Sequence, residues 1–187
     1  MPDQLTGLLS PFLRSRRIAA ARPFFGQGRL LDIGCGTGEL ARYVESNRYS
    51  GVDQDEDSVA IARNRFPAHR FLTLAEFAPS QNENQFERIA GLAVIEHVED
   101  PQKWLAWLRR LLKSGGQVVL TTPHPSIRQI HEFGARIGLF SREGAREHRE
   151  LIDRRRMIHL AQTSGFRIRH FRRFLVGCNQ LVVLEPI

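Results

Sequence analysis

Residues 30–41 read LLDIGCGTGELA: an aliphatic run closed by an acid, then three glycines within five residues. A glycine-rich turn between a strand and a helix sets bare backbone against a small ligand, because glycine reaches left-handed conformations and carries no Cβ to collide. The neighbouring residues decide which ligand. A dinucleotide fingerprint requires G-x-G-x-x-G, so that the helix packs close and its amino end faces a pyrophosphate. Gly34 and Gly36 fit, but Glu39 holds the third place and Gly38 lies one residue early. A carboxylate in the first turn suits the helix dipole yet repels a pyrophosphate, and Asp32 puts a second negative charge under the turn. The stretch favours a ligand that carries a cation.

Outward from this turn, apolar runs that suit buried parallel strands recur at residues 29–33, 49–53, 69–74, 87–92 and 117–121. Helical patterns fill the gaps. Residues 38–47 place Leu40, Tyr43 and Val44 on one face. After Asp53, either Asp55 or Asp57 can cap a helix with Val59, Ala62 and Phe66 inward. In EDPQKWLAWLRRLLKSGG, Asp100 caps, Pro101 suits the first turn, and Trp104, Leu105, Leu108, Leu111 and Leu112 form a stripe that Gly115 and Gly116 are expected to end. Strands alternating with helices build right-handed crossovers and an α/β doubly wound sheet with helices on both faces, its ligand at the carboxyl ends of the strands. Past Thr122 the period is lost, and residues 124–150 read as a lid or acceptor-site connection. A helix with Met157, Leu160 and Ala161 inward follows, and two strands joined around Gly177 close the chain.

With 187 residues and 42% hydrophobic content, one core and one domain are expected over residues 1–187, with 1–28 as an N-terminal helical segment. No signal-peptide core or spanning run is present, so a cytoplasmic location is the default. Cys35 and Cys178 lack metal-ligand spacing and are read as free thiols. The net charge of +7 is uneven: residues 1–123 carry 15 basic and 14 acidic side chains, residues 124–187 carry 12 and 6. An anionic partner would explain this. So would a general arginine bias, since 25 of the 27 basic residues are Arg and no run exceeds three.

Three stretches in order, LLDIGCGTG, YSGVDQDEDSVAIAR and FERIAGLAVIEHVEDPQKWLAWLRRLLKSGGQVVLTTP, resemble the motifs of the class I S-adenosylmethionine-dependent methyltransferases. The resemblance is close over residues 28–123 and looser beyond. It implies a Rossmann-like, seven-stranded sheet whose last strand is antiparallel, with S-adenosylmethionine as cofactor. It also implies roles. Asp32, with the backbone of Gly34, faces the methionine ammonium, and Gly34, Gly36 and Gly38 let the backbone approach. Asp53 accepts the ribose hydroxyls, as an acid does in dinucleotide folds, and Gln54 lies against the adenine. Leu74 stands where many relatives have an aspartate for the adenine amino group, so Ala75 or Glu76 is expected to supply that contact. Leu92 and Ala93 complete the cofactor set. Capping of a nearby turn is the structural alternative for Asp32 and Asp53.

The acceptor is read from the loop after the fourth strand. The Asn/Asp-Pro-Pro-aromatic pattern of amine-directed nucleic-acid methylases is absent, and of the two glutamates of the protein-arginine branch only Glu96 is present. IEHVEDP most resembles the ubiquinone O-methyltransferase group and its small-molecule relatives. Ala93 fills the place of a glutamate that belongs to a metal-binding pattern in some of them, so no metal site is assigned. An oxygen acceptor must lose a proton, and His97 is the candidate base; packing on the cofactor is its alternative role. His124 is a weaker candidate. His131 and His148 read as lid residues, and Arg128, Arg136 and Arg142 as possible contacts to an anionic acceptor. The expected function is methyl transfer to a small-molecule or lipid-like acceptor, at oxygen. A nicotinamide-dependent oxidoreductase is one rival, opposed by Glu39 and Asp32. A nucleic-acid or anion-binding protein using RIRHFRRF is the other, although an alternating edge strand explains that stretch as well.

Overall fold

The computed structural model describes residues 3–78, 82–125 and 152–187. The expected lid therefore lies outside the described residues apart from its first two positions. Seven strands form one sheet: β1 (Leu30–Ile33), β2 (Tyr49–Asp53), β3 (Arg70–Thr73), β4 (Phe86–Leu92), β5 (Leu112–Pro123), β6 (Phe166–Phe174) and β7 (Asn179–Pro186). Their order is β3-β2-β1-β4-β5-β7-β6. The first five pair in parallel, and β7 runs antiparallel to both β5 and β6, as the resemblance implied.

Alternation along the buried strands feeds two cores. Leu31, Val118, Leu120, Val182 and Leu184 pack toward Leu105, Leu108 and Leu111 of α3 (Pro101–Leu111) and Met157, Leu160 and Ala161 of α4 (Arg154–Thr163). On the other face Leu30, Val119 and Leu181 meet Ile18 and Ala21 of α1 (Asp3–Ala21) and Val59 and Ala62 of α2 (Glu56–Arg65). Burial of both faces is what a parallel sheet demands of its strands. Asp100 caps α3 by accepting from Lys103 N at 3.0 Å.

Two expectations are corrected. Residues 38–47 do not form an α-helix but two 3-10 turns, Glu39–Tyr43 and Ser46–Arg48, entered through the left-handed Gly38. The chain enters through a left-handed glycine and is already extended at Val44, which leaves room for a single tight turn, and Tyr43, expected inward, is 46% exposed. The helix ending at Leu111 does not reach Gly115: Leu112 turns extended and pairs with Phe86, so the buried leucine serves the sheet instead. Gly115 and Gly116 then fall at the register shift between Phe86 and Arg88, with Gly115 at φ 73°. The basic edge strand β6 spends its guanidinium groups internally. Arg167 and Arg169 face Glu185, Arg172 donates to Ala20 O, and Arg173 to Gly177 O. Among the described residues no helix is long and apolar enough to cross a membrane.

Candidate active site

β1 sits between β2 and β4, where the strand order reverses, and a crevice opens at the carboxyl ends of strands at such a point. Two chambers occupy it. The larger, about 950 Å³, takes Asp53, Gln54, Leu74, Phe77, Trp104 and His97 among its walls. The smaller, about 220 Å³, takes Asp32, Gly36, Glu39, Leu92, Arg14 and Arg17. Gly34 and Ala93 border both.

The glycine turn is the partition. Gly34 has φ 71°, and a Cβ there would lie 2.5 Å from Val94 Cγ2, so both its conformation and its neighbour exclude a side chain. Its N–H, like that of Cys35, is directed to Val52 O, at 2.8 and 3.2 Å. Gly36 has φ 50° with open space at its Cβ position, which makes backbone conformation its reason. Gly38 lines neither chamber; a Cβ there would meet the Phe71 ring at 2.9 Å, so its place is in packing. Opposite the turn, Ala93 holds φ 61° while its N–H donates to Thr121 O at 2.8 Å. An alanine in this region costs about 1–2 kcal/mol, and such strain gathers at ligand sites.

Asp32 is 3% exposed and accepts the Tyr49 hydroxyl on Oδ2 at 2.8 Å. Burial pushes its carboxyl up to about 7, the Tyr49 hydrogen bond lowers it and the charge of Asp53 adds to the rise. A cation entering the smaller chamber would stabilise the charged form. Arg14 and Arg17, from α1, supply positive charge across the same space, a contribution that sequence reading missed because no motif marks them. Burial lowers the Arg17 guanidinium from its usual range while Glu96 opposes that shift. Glu96 is 1% exposed, and among the described residues neither carboxylate oxygen has a hydrogen-bond partner. Glu39 is paired with Arg65 at 2.7 Å, which offsets the repulsion assigned to it from sequence.

Asp53 does two things. It borders the larger chamber, and it secures the turn, accepting Gly36 N–H on Oδ2 at 2.7 Å and Asp55 N–H on Oδ1 at 3.0 Å. Gln54 borders the same chamber, as does Leu74, whereas Ala75 and Glu76 border neither. The Glu76 carboxylate is engaged locally: hydrogen bonds from Thr73 N–H at 2.7 Å and from Arg63 at 2.6 Å hold it below the usual range. His97 ends a 3-10 turn after β4 and lines the larger chamber. His124 lines neither; its N–H donates to Cys178 O and its Nδ1 meets Arg173 at 3.0 Å, beside the turn between β6 and β7. Arg128 and Arg136, with Arg142, His131 and His148, lie outside the described residues. Trp104 and Trp107 serve both core and cavity, joining the α3-side core while bordering the larger chamber.

A doubly wound sheet with an antiparallel close and a glycine turn facing acids at the ends of β1 and β2 defines a class I S-adenosylmethionine-dependent methyltransferase. The model of a methyltransferase-domain family matches residues 9–170, and the chain belongs to that family. Among curated proteins it is similar to the ubiquinone biosynthesis O-methyltransferase of Alkalilimnicola ehrlichii, 33% identical over 102 residues, 50% of this chain and 41% of that protein. The enzyme of the same name from Aeromonas salmonicida is 26% identical over 156 residues, 78% of this chain and 65% of that one. The chain thus spans less than two thirds of the length of these relatives. A solved Pyrococcus horikoshii protein superposes with a TM-score of 0.72 at 19% identity, over 93% of this chain and 91% of that one. An S-adenosylmethionine-dependent methyltransferase from Mesorhizobium loti superposes at 0.67 and 18%, over 92% and 97%. These two likenesses concern the fold.

Proposed function

We propose that the protein transfers a methyl group from S-adenosylmethionine to an oxygen atom of a small-molecule or lipid-like acceptor. The observation that carries this reading is the division of charge between the two chambers. A zwitterionic amino acid matches the smaller one, with Asp32 for its ammonium and Arg14 and Arg17 for its carboxylate. An adenosyl group matches the larger, with the Asp53 carboxylate for the ribose and Gln54, Leu74 and Phe77 for the base. Gly34 and Ala93, at the join, leave room for the sulfur.

When bound, S-adenosylmethionine supplies an electrophilic methyl group on a positively charged sulfur. The chain's own task is to align an acceptor oxygen, exclude water and remove a proton. His97, at the edge of the larger chamber, takes the proton from the acceptor hydroxyl at a ring nitrogen. The names of the relatives, which specify O-methylation in ubiquinone biosynthesis, support an oxygen acceptor.

The direct test is incubation with S-adenosylmethionine and a set of simple phenols, followed by mass spectrometry. Aryl methyl ether and S-adenosylhomocysteine forming in equal amounts is the expected result; N-methylated or esterified products from matched amines and acids would overturn the oxygen assignment. His97→Asn should then lower kcat about 10²- to 10⁴-fold while leaving S-adenosylhomocysteine affinity intact; retained turnover removes the base. Asp53→Ala should weaken S-adenosylhomocysteine about 100-fold in calorimetric titration, since it removes both the ribose partner and the tie to Gly36. Unaltered affinity would refute the ribose role.

A further inference from the structure

We propose that Tyr49 is a positioning residue for the cofactor: its hydroxyl, passing the bare Cα of Gly51, sets the Asp32 carboxylate for a cationic group in the smaller chamber. The proposal rests on the reading above that Asp32 receives the cofactor's ammonium.

Tyr49 opens β2, is 2% exposed, and donates to Asp32 Oδ2 at 2.8 Å. In the parallel register Tyr49 lies opposite Leu30, and Gly51 lies opposite Asp32. The tyrosine therefore runs two residues along its own strand to reach a carboxylate on the next one, and Gly51 is the residue it crosses. A Cβ at Gly51 would come within 2.9 Å of the Tyr49 hydroxyl, 2.7 Å of Phe71 Cδ1 and 3.0 Å of Cys35 Sγ. Gly51 is not among the residues with positive φ, so crowding by Phe71, the crossing hydroxyl and Cys35, not backbone conformation, is what requires glycine. The ring cannot easily withdraw. Phe71 and His69 meet it edge-on at centroid distances of 5.4 and 5.5 Å, and His69 is itself fixed to Val44 O at 2.9 Å.

Phenylalanine would fill the same space among the aromatic rings, so packing alone does not call for the hydroxyl. Burying a hydroxyl and a carboxylate together is costly unless each satisfies the other. The result is a carboxylate with one oxygen tied by a neutral donor and its orientation fixed before any ligand arrives. The other charged and titratable groups facing Asp32 are Asp53 at the end of β2, Cys35 in the turn, and Arg14, Arg17 and Glu39 around the chamber. Tyr49 favours the charged carboxylate where Asp53 disfavours it.

The test compares S-adenosylhomocysteine with 5′-methylthioadenosine, which keeps the adenosine and the sulfur but lacks the amino acid. Tyr49→Phe should weaken the first about 10- to 100-fold and the second less than about twofold. The pH below which S-adenosylhomocysteine affinity declines should move upward in the variant. Equal losses for the two ligands, which a purely structural tyrosine would give, overturn the proposal, as does no loss. If the wild-type protein bound the two ligands equally, the ammonium role of Asp32 would fall first. A second measurement does not depend on the variant's folding. The chain has two tyrosines, so Tyr43→Phe protein labelled with 3-fluorotyrosine carries a single probe at position 49. Its ¹⁹F resonance should shift with S-adenosylhomocysteine and not with 5′-methylthioadenosine; a resonance blind to both overturns the assignment.

Discussion

Asp32→Asn should abolish tight cofactor binding and, at pH 8, make the ligand-free protein more stable than wild type. The two effects share one cause. Asp32 is buried, and its carboxyl titrates near 7 in the folded chain against an ordinary 3.8. For a carboxyl raised by folding the sign is fixed. Between pH 4 and 7 the unfolded chain has released this proton and the folded chain retains it, so stability falls as pH rises across that window and levels off above it. Three pH units correspond to about 4 kcal/mol. Denaturant titrations at pH 5 and pH 8 should show this loss in wild type and its absence in Asp32→Asn. A cation in the smaller chamber restores the charged form, so wild-type affinity for S-adenosylhomocysteine should fall about tenfold per unit as pH drops below 7. In the variant the ammonium meets a neutral amide. Removing one partner of a buried ion pair costs about 3–5 kcal/mol, or about 10²- to 10⁴-fold in affinity. Undiminished binding by Asp32→Asn would show that the cation lies elsewhere.

Gly34→Ala should cost more in binding than any single side-chain truncation in the site. An alanine at φ 71° costs about 1–2 kcal/mol, and its methyl would sit 2.5 Å from Val94 Cγ2, where overpacking costs about another 1–3 kcal/mol. Val94 lines the larger chamber, so the strain is relieved by pushing its side chain into the space the adenosyl group needs. Loss of detectable S-adenosylhomocysteine binding, with a destabilisation of about 2–5 kcal/mol, is expected. The double variant Gly34→Ala, Val94→Ala separates the causes: it relieves the clash and leaves the backbone strain. Partial recovery of stability with binding still impaired fits both terms, whereas full recovery would assign everything to the methyl groups.

The elements that were legible in sequence are those whose signals are local. The stripe Leu105, Leu108 and Leu111, capped by Asp100, forms a helix because capping and periodicity act within one turn or two. The segment after Gly38 departs from its pattern for the converse reason: its apolar spacing suits a helix, but the left-handed entry at Gly38 and the extended Val44 leave only 3-10 turns. The hydrophobicity of Leu112 suits helix and strand equally; its pairing with Phe86 places it in the sheet. In the site, Asp53 and Gln54 border the larger chamber because a strand end places its own residues. Glu76 does not, because Thr73, three residues back, and Arg63, which the fold brings across from α2, hold its carboxylate away.

By itself, the sequence determined the α/β alternation, the glycine turn between two acids, the cationic character of its ligand and the methyltransferase family. The alternation and the turn follow from conformations within a few residues, which spacing encodes directly, and the cation from the acids beside the turn; the family rests on the resemblance carried by three motifs in order. The tertiary structure alone decided that Arg14 and Arg17 of α1 face Asp32, that Tyr49 reaches that carboxylate across Gly51, and that His97 faces the larger chamber while His124 does not. Those relations join residues on different elements, and their distances depend on how strands register and helices pack. No spacing along the chain carries that information.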